Sequence, residues 1–163
     1  MGAGKSTVGR LLAEVLGWQF IDVDAEVERR TGRTIPEIFR EDGETAFRGL
    51  EAGEAAAALT RSDVVIAPGG GWAMAAGAFD ALPAGSLVIW LRVTADEAVR
   101  RVRRDGRIRP LLEAADPVGA ASTLLAAREP FYARAELVID TGGREPGSIV
   151  NEIRERIKNR HGK

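Results

Sequence analysis

The sequence contains no cysteine, which excludes a disulfide framework and any thiolate metal centre. It has one histidine, His161, third from the C-terminus, where a general base is not expected. Long apolar runs are missing as well. Leu87-Val88-Ile89-Trp90-Leu91 is typical of the longest, and a bilayer crossing needs about 20 such residues. The first residues lack a basic segment leading into an apolar stretch, so no secretory signal is expected and a cytoplasmic protein is. Lysine is scarce: Lys5, Lys158 and Lys163 are the only ones, and the other basic residues are arginine. Lysine and arginine together number 23 against 24 acidic residues, a net charge of −1. No global field therefore recruits nucleic acid.

The composition that remains, 45% hydrophobic and 29% charged over 163 residues, suits a single soluble domain with one core. The arginine bias has two readings that can both hold. One is a GC-rich coding sequence. The other is that certain arginines use their planar fork to grip phosphates and carboxylates.

Short β-rich runs alternate with helical patterns. Strands are expected at Trp18 to Val23, Val64 to Ala67, Leu87 to Leu91 and Leu137 to Ile139. Ser6 to Leu16 sets Val8, Leu11, Leu12, Val15 and Leu16 along one stripe, with Gly17 as the stop. Thr94 can cap a helix from Ala95 to Arg104, and Pro146 suits the first turn of a last helix with Ile149, Val150, Ile153 and Ile157 in register. The alternation predicts an α/β fold with helices flanking a mostly parallel sheet in three layers. Residues 24–60 read as helices broken at Gly32 and Gly43, and 105–117 as a loop able to close over a ligand. There is no internal repeat and no low-complexity segment.

Gly2-Ala3-Gly4-Lys5-Ser6-Thr7 forms the second half of the phosphate-loop pattern G-x-x-x-x-G-K-[ST]. Glycines let backbone N–H groups turn around phosphates, the lysine reaches the β- and γ-phosphates, and the hydroxyl can bind Mg²⁺. The helix that follows adds its positive dipole end. The pattern's first glycine would fall two places upstream of Met1, and the strand that feeds such a loop, usually the central one, is not in the sequence either. The expectation is an internal methionine at position 1, with the natural chain beginning about ten residues earlier.

Asp22-Val23-Asp24 ends the expected strand, where alternation would point both carboxylates the same way. They could serve a metal and a substrate hydroxyl; a solvated strand end or helix cap is the alternative. Gly69-Gly70-Gly71 follows the next strand, and three glycines together suggest that a ligand or a neighbouring backbone comes close. Arg48 and Glu51, three apart on a helix, read by themselves as a surface ion pair.

Taken in order, Gly2 to Thr7, Phe20-Ile21-Asp22-Val23-Asp24, Phe47-Arg48-x-x-Glu51, Gly69-Gly70-Gly71, Arg109-Pro110-Leu111-Leu112 and Arg128-x-Pro130-x-Tyr132 resemble the shikimate kinase family along essentially the whole chain. The resemblance implies a phosphate-loop fold of the nucleoside monophosphate kinase type, with ATP and shikimate as partners and Mg²⁺ as cofactor. A monomer that binds neither nucleic acid nor membrane is expected. Gly2, Ala3, Gly4, Lys5, Ser6 and Thr7 would hold the nucleotide phosphates, with Ser6 and Asp22 serving the metal. Asp24 would take the hydroxyl to be phosphorylated, Arg48 and Arg128 the shikimate carboxylate, and Gly70 and Gly71 the ring hydroxyls. Arg109 would stabilise charge during transfer, and Arg101 and Pro146 would flank the adenine. Residues 25–53 would form a substrate-binding subdomain and 105–117 the lid, within one kinase domain spanning 1–163. Two departures stand out. Trp72 follows the triplet where a smaller residue is commoner, giving either a bulkier pocket edge or simple core packing. The run Arg100-Arg101-x-Arg103-Arg104 is one residue longer before the lid than in many relatives. Alternatives are a gluconate-type kinase of the same fold or an inactive nucleotide-binding domain.

Overall fold

The computed structural model describes residues 2–105 and 114–161. Its elements run α1 (Lys5–Leu16), β1 (Gln19–Asp22), α2 (Val23–Thr31), α3 (Ile35–Glu41), α4 (Gly43–Leu59), β2 (Val64–Ala67), a short 3₁₀ turn (Trp72–Met74), β3 (Ile89–Arg92), α5 (Ala95–Asp105), α6 (Pro117–Tyr132), β4 (Leu137–Asp140) and α7 (Pro146–His161). The four described strands form two parallel pairs, β1 with β2 and β3 with β4, with helices between the members of each pair as a parallel crossover demands. The chain divides into two compact units, residues 9–86 and residues 1–8 with 87–163, and the division runs through α1.

In the first unit β1 and β2 pair from Gln19 opposite Val64 to Asp22 opposite Ala67. Their crossover is the three-helix stretch α2–α4. Gly32, at φ 66°, ends α2, and Gly43, at φ 82°, opens α4, so both expected breaks occur where only glycine bends without strain. Thr34 starts α3 with a capping box shared with Glu37. Val27, Ile38 and Phe47 are buried together, with Ile35 and Leu50 packed against them. Truncating the fully buried Ile38 to alanine would cost about 2–5 kcal/mol.

The second unit pairs Ile89–Arg92 with Leu137–Asp140. Arg92 Nε and Nη2 donate to the two oxygens of Asp140 at 2.7 and 2.9 Å, closing the carboxyl ends of both strands. Thr94 Oγ1 accepts from the Glu97 N–H at 3.4 Å as the expected cap of α5, and Pro146 is the first residue of α7. Val8, Ala98, Val99, Val102, Ala121, Ile139, Ile149, Val150 and Ile153 are among this unit's buried apolar residues.

Strand limits shift from the sequence reading for local reasons. β3 starts at Ile89, although the Val88 carbonyl still accepts from the Leu137 N–H at 3.2 Å. β1 stops at Asp22 because that residue is the N-cap of α2, its carboxylate accepting from the Ala25 N–H. Asp22 and Asp24 therefore do not alternate along one strand; Asp24 lies in the first turn of α2. Among the described residues, no helix is long and apolar enough to cross a membrane.

Candidate active site

Gly2 and Gly4 have φ of 67° and 87°, the left-handed conformation that turns successive backbone N–H groups to one side. Lys5 is the first residue of α1, and the Val8 N–H donates to the Gly4 carbonyl at 2.8 Å. The loop backbone lies against α5: a Cβ at Gly2 would come within 2.6 Å of the Ala98 carbonyl oxygen and 2.8 Å of its Cα. Backbone cannot yield as a side-chain tip can, so position 2 takes only glycine without moving the loop. Ala3 is buried beside it, whereas Ser6 and Thr7 are exposed on the first turn.

Arg101 reaches this loop from α5. Its Nε donates to Glu97 at 2.7 Å, Nη2 to the Thr141 carbonyl at 2.5 Å, and Nη1 to Thr141 Oγ1 at 3.2 Å and the Gly2 carbonyl at 3.4 Å. These bonds engage the edges of the guanidinium and leave the use of its flat face open. Pro146 is half-buried five residues beyond Thr141. Arg128, on α6, has a buried Nε with no hydrogen-bond acceptor among the described residues. It lines a small hollow with Ala98, Ala121, Leu125 and Tyr132. Arg109 and residues 106–113 of the expected lid lie outside the described residues.

In the other unit, the glycine triplet organises a cluster of opposite charges. Gly69 and Gly71 are buried. A Cβ at Gly69 would overlap Glu51 Oε1 and come within 2.8 Å of Asp24 Oδ1; one at Gly71 would meet Arg48 Cζ at 2.7 Å. What crowds Gly69 and Gly71 is three charged side chains, two acidic and one basic, and not the neighbouring backbone that the triplet suggested. Arg48 is fixed by its own helix: Nη1 donates to Glu51 Oε2 at 2.8 Å, and Nη2 and Nε donate to Glu44 Oε1 at 3.0 and 3.3 Å. Burial would lower the Arg48 pKa, but the hydrogen bonds to Glu51 and Glu44 raise it overall. Glu51 is only 3% exposed, and its Oε1 has no hydrogen-bond partner among the described residues. The pair is far from the surface ion bridge that its i, i+3 spacing suggests. Trp72 is half-buried after the triplet and packs its ring against Phe79 at 5.5 Å between centroids.

Among the described residues, no group of three His, Cys, Asp or Glu side chains is placed to hold a metal ion. Each unit contributes an oxygen of the kind a hard cation takes together with phosphates and water: Ser6 carries an exposed hydroxyl on the first turn of α1, and Asp22 carries a carboxylate at the start of α2.

Two residues of consequence escaped the sequence reading. Glu44 is the second anchor of Arg48, recognisable only from its i, i+4 spacing. Thr141 carries no sequence signal, since a threonine after a strand is ordinary.

The chain matches the shikimate kinase family over residues 1–158. It is 44% identical over 158 residues to shikimate kinase from Moorella thermoacetica, covering 97% of this chain and 90% of that protein. Against shikimate kinase from Pseudomonas syringae pv. syringae the identity is 47% over 158 residues, covering 96% and 91%. Among solved structures, shikimate kinase from Acinetobacter baumannii in complex with shikimate superposes with a TM-score of 0.92 at 37% identity, covering 100% of this chain and 91% of that one. The enzyme from Aquifex aeolicus gives 0.84 at 31% identity, covering 99% and 94%. Agreement of this depth in sequence and backbone, over nearly the full length of the relatives, shows that the chain belongs to the shikimate kinase family.

Proposed function

We propose that the chain transfers the γ-phosphoryl group of ATP to the 3-hydroxyl of shikimate, yielding ADP and shikimate 3-phosphate for aromatic amino acid (chorismate) biosynthesis in the cytoplasm. The observation that carries this reading is the cluster at the glycine triplet: in a chain of this family, a guanidinium held by two carboxylates stands at Gly71 while the Asp24 carboxylate stands at Gly69. A ligand bearing both a carboxylate and hydroxyls matches that pairing of cation and acceptor.

Arg48 and Arg128 take the shikimate carboxylate, and Gly70 and Gly71 lie against the ring hydroxyls. Asp24 orients the hydroxyl that attacks phosphorus and accepts its proton as the new O–P bond forms. The backbone of Gly2, Ala3 and Gly4, with Lys5 and Thr7, holds the ATP phosphates; Arg101 and Pro146 flank the adenine. Mg²⁺, when bound, would neutralise phosphate oxygens, and Ser6 and Asp22 are the residues that would hold it. Arg109 supplies charge to the transferring group, 105–117 acts as a lid that excludes water, and 25–53 forms the substrate-binding subdomain. The enzyme acts as a monomer.

A coupled ADP-release assay with shikimate, with gluconate and with no acceptor tests the assignment. Turnover that depends on shikimate alone is expected. ADP release independent of shikimate would overturn it.

A further inference from the structure

Thr141 is fully buried, and every polar atom it has is committed. Its N–H donates to the Arg92 carbonyl at 2.9 Å and its hydroxyl to the same oxygen at 3.0 Å. Its Oγ1 and carbonyl oxygen accept from Arg101 Nη1 and Nη2. Arg101 Nη1 then reaches the Gly2 carbonyl at 3.4 Å and stands 4.0 Å from where a Cβ of Gly4 would sit. A continuous path of hydrogen bonds thus runs from the end of β3, through the residue after β4, to the backbone of the phosphate loop. A buried hydroxyl that both donates to a strand end and accepts from a guanidinium is fixed in direction. It therefore fixes the plane of the arginine.

We propose that Thr141 is a positioning residue for nucleotide binding: it holds Arg101 against the Gly2 carbonyl, so that the loop's N–H groups stay turned toward the phosphates. The inference rests on the reading of Gly2 to Thr7 as the ATP phosphate site. It assigns a role to a buried residue that acts through Arg101.

Thr141→Val isolates this function. Valine keeps the shape, and the backbone bonds of residue 141 to Arg92 and to Nη2 survive. Only the hydroxyl is lost, leaving Nη1 with the long bond to Gly2. The Kd for MgADP, measured by calorimetry, and the KM for ATP are expected to rise about fivefold, the worth of one hydrogen bond. The KM for shikimate should stay within about twofold, and Thr141→Ser should restore the nucleotide values. In a double-mutant cycle with Arg101→Met, the two losses should be less than additive. Wild-type MgADP affinity in Thr141→Val overturns the proposal, as does an equal rise in both KM values that serine does not repair. Should Thr141→Val not fold, Thr141→Ala takes its place in the cycle, and full additivity with Arg101→Met overturns the proposal. A wild-type protein that binds no MgADP would instead refute the phosphate-site reading beneath it.

Discussion

Gly69 and Gly71 look interchangeable as letters, yet the side chains facing them differ in their freedom to move. A methyl group at position 71 meets the guanidinium of Arg48, whose side chain is about one-third exposed and can swing outward. One at position 69 overlaps the carboxylate of Glu51, which is enclosed. Gly71→Ala should therefore keep its melting temperature while the KM for shikimate rises tenfold or so, about 1.4 kcal/mol of lost recognition. Gly69→Ala should lose stability by about 1–3 kcal/mol, the usual cost of overpacking. Calorimetric melts beside steady-state kinetics separate the two. A residue of the capping box gives a pH signature. The Glu37 carboxylate accepts from the Thr34 N–H and hydroxyl, both at 2.7 Å, and the backbone bond first, then the hydroxyl, hold its pKa below the ordinary 4.5. A lowered carboxylate value means the ionised form favours the folded state. Its contribution is complete above 4.5 and disappears as pH falls through the lowered value. The stability gap between wild type and Glu37→Gln, followed by denaturant melts, should close over that acidic interval and stay constant at neutral pH.

Asp22 shows at the level of elements why part of the site was legible and part was not. The acidic strand end was plain in the sequence, and so were Gly17, Gly32, Gly43, Thr94 and Pro146 as punctuation, because each acts on its own neighbours. The limits of β1 were not, since a carboxylate that caps the following helix competes with continuing the strand. That competition put Asp24 on a helix, where it meets Gly69, 45 positions along the chain. Pairings of this reach, like those of Arg101 with Thr141 and Gly2, leave no local periodicity to read. The cap made by Asp22 and its proposed metal role are separable by experiment. Asparagine caps a helix as well as aspartate, so Asp22→Asn should unfold like wild type. Asp22→Ala should lose about 0.5–1 kcal/mol, the low end for a cap, because the bond to the Ala25 N–H is long at 3.4 Å. If Asp22 serves the metal, both variants need more Mg²⁺ for half-maximal rate, whatever their stability. A normal Mg²⁺ requirement in Asp22→Asn would leave the residue only its cap.

For the whole molecule, folding and ligand occupancy are one equilibrium. A ligand that binds only the folded chain adds about 2.7 kcal/mol at a concentration of one hundred Kd, which for a chain of this size raises the melting temperature by about 5–10 °C. MgADP and shikimate should each do so independently. Arg48→Ala sharpens the test. Removing the guanidinium leaves the buried Glu51 carboxylate without its partner, so the unliganded melting temperature should itself fall. The informative quantity is therefore the shift each ligand produces in the variant rather than its absolute stability. The MgADP shift should survive in full, because the residues holding the phosphate loop are untouched. The shikimate shift should fall to about half or less at the concentration that saturates wild type, since a carboxylate that loses a charge-assisted bond typically gives up about 1.5–3 kcal/mol. Thermal melts with each ligand alone settle the matter. If Arg48→Ala keeps the wild-type shikimate shift, the substrate carboxylate is bound elsewhere and Glu51 holds Arg48 only to secure α4. If both shifts collapse together, Arg48 governs the fold and not the substrate.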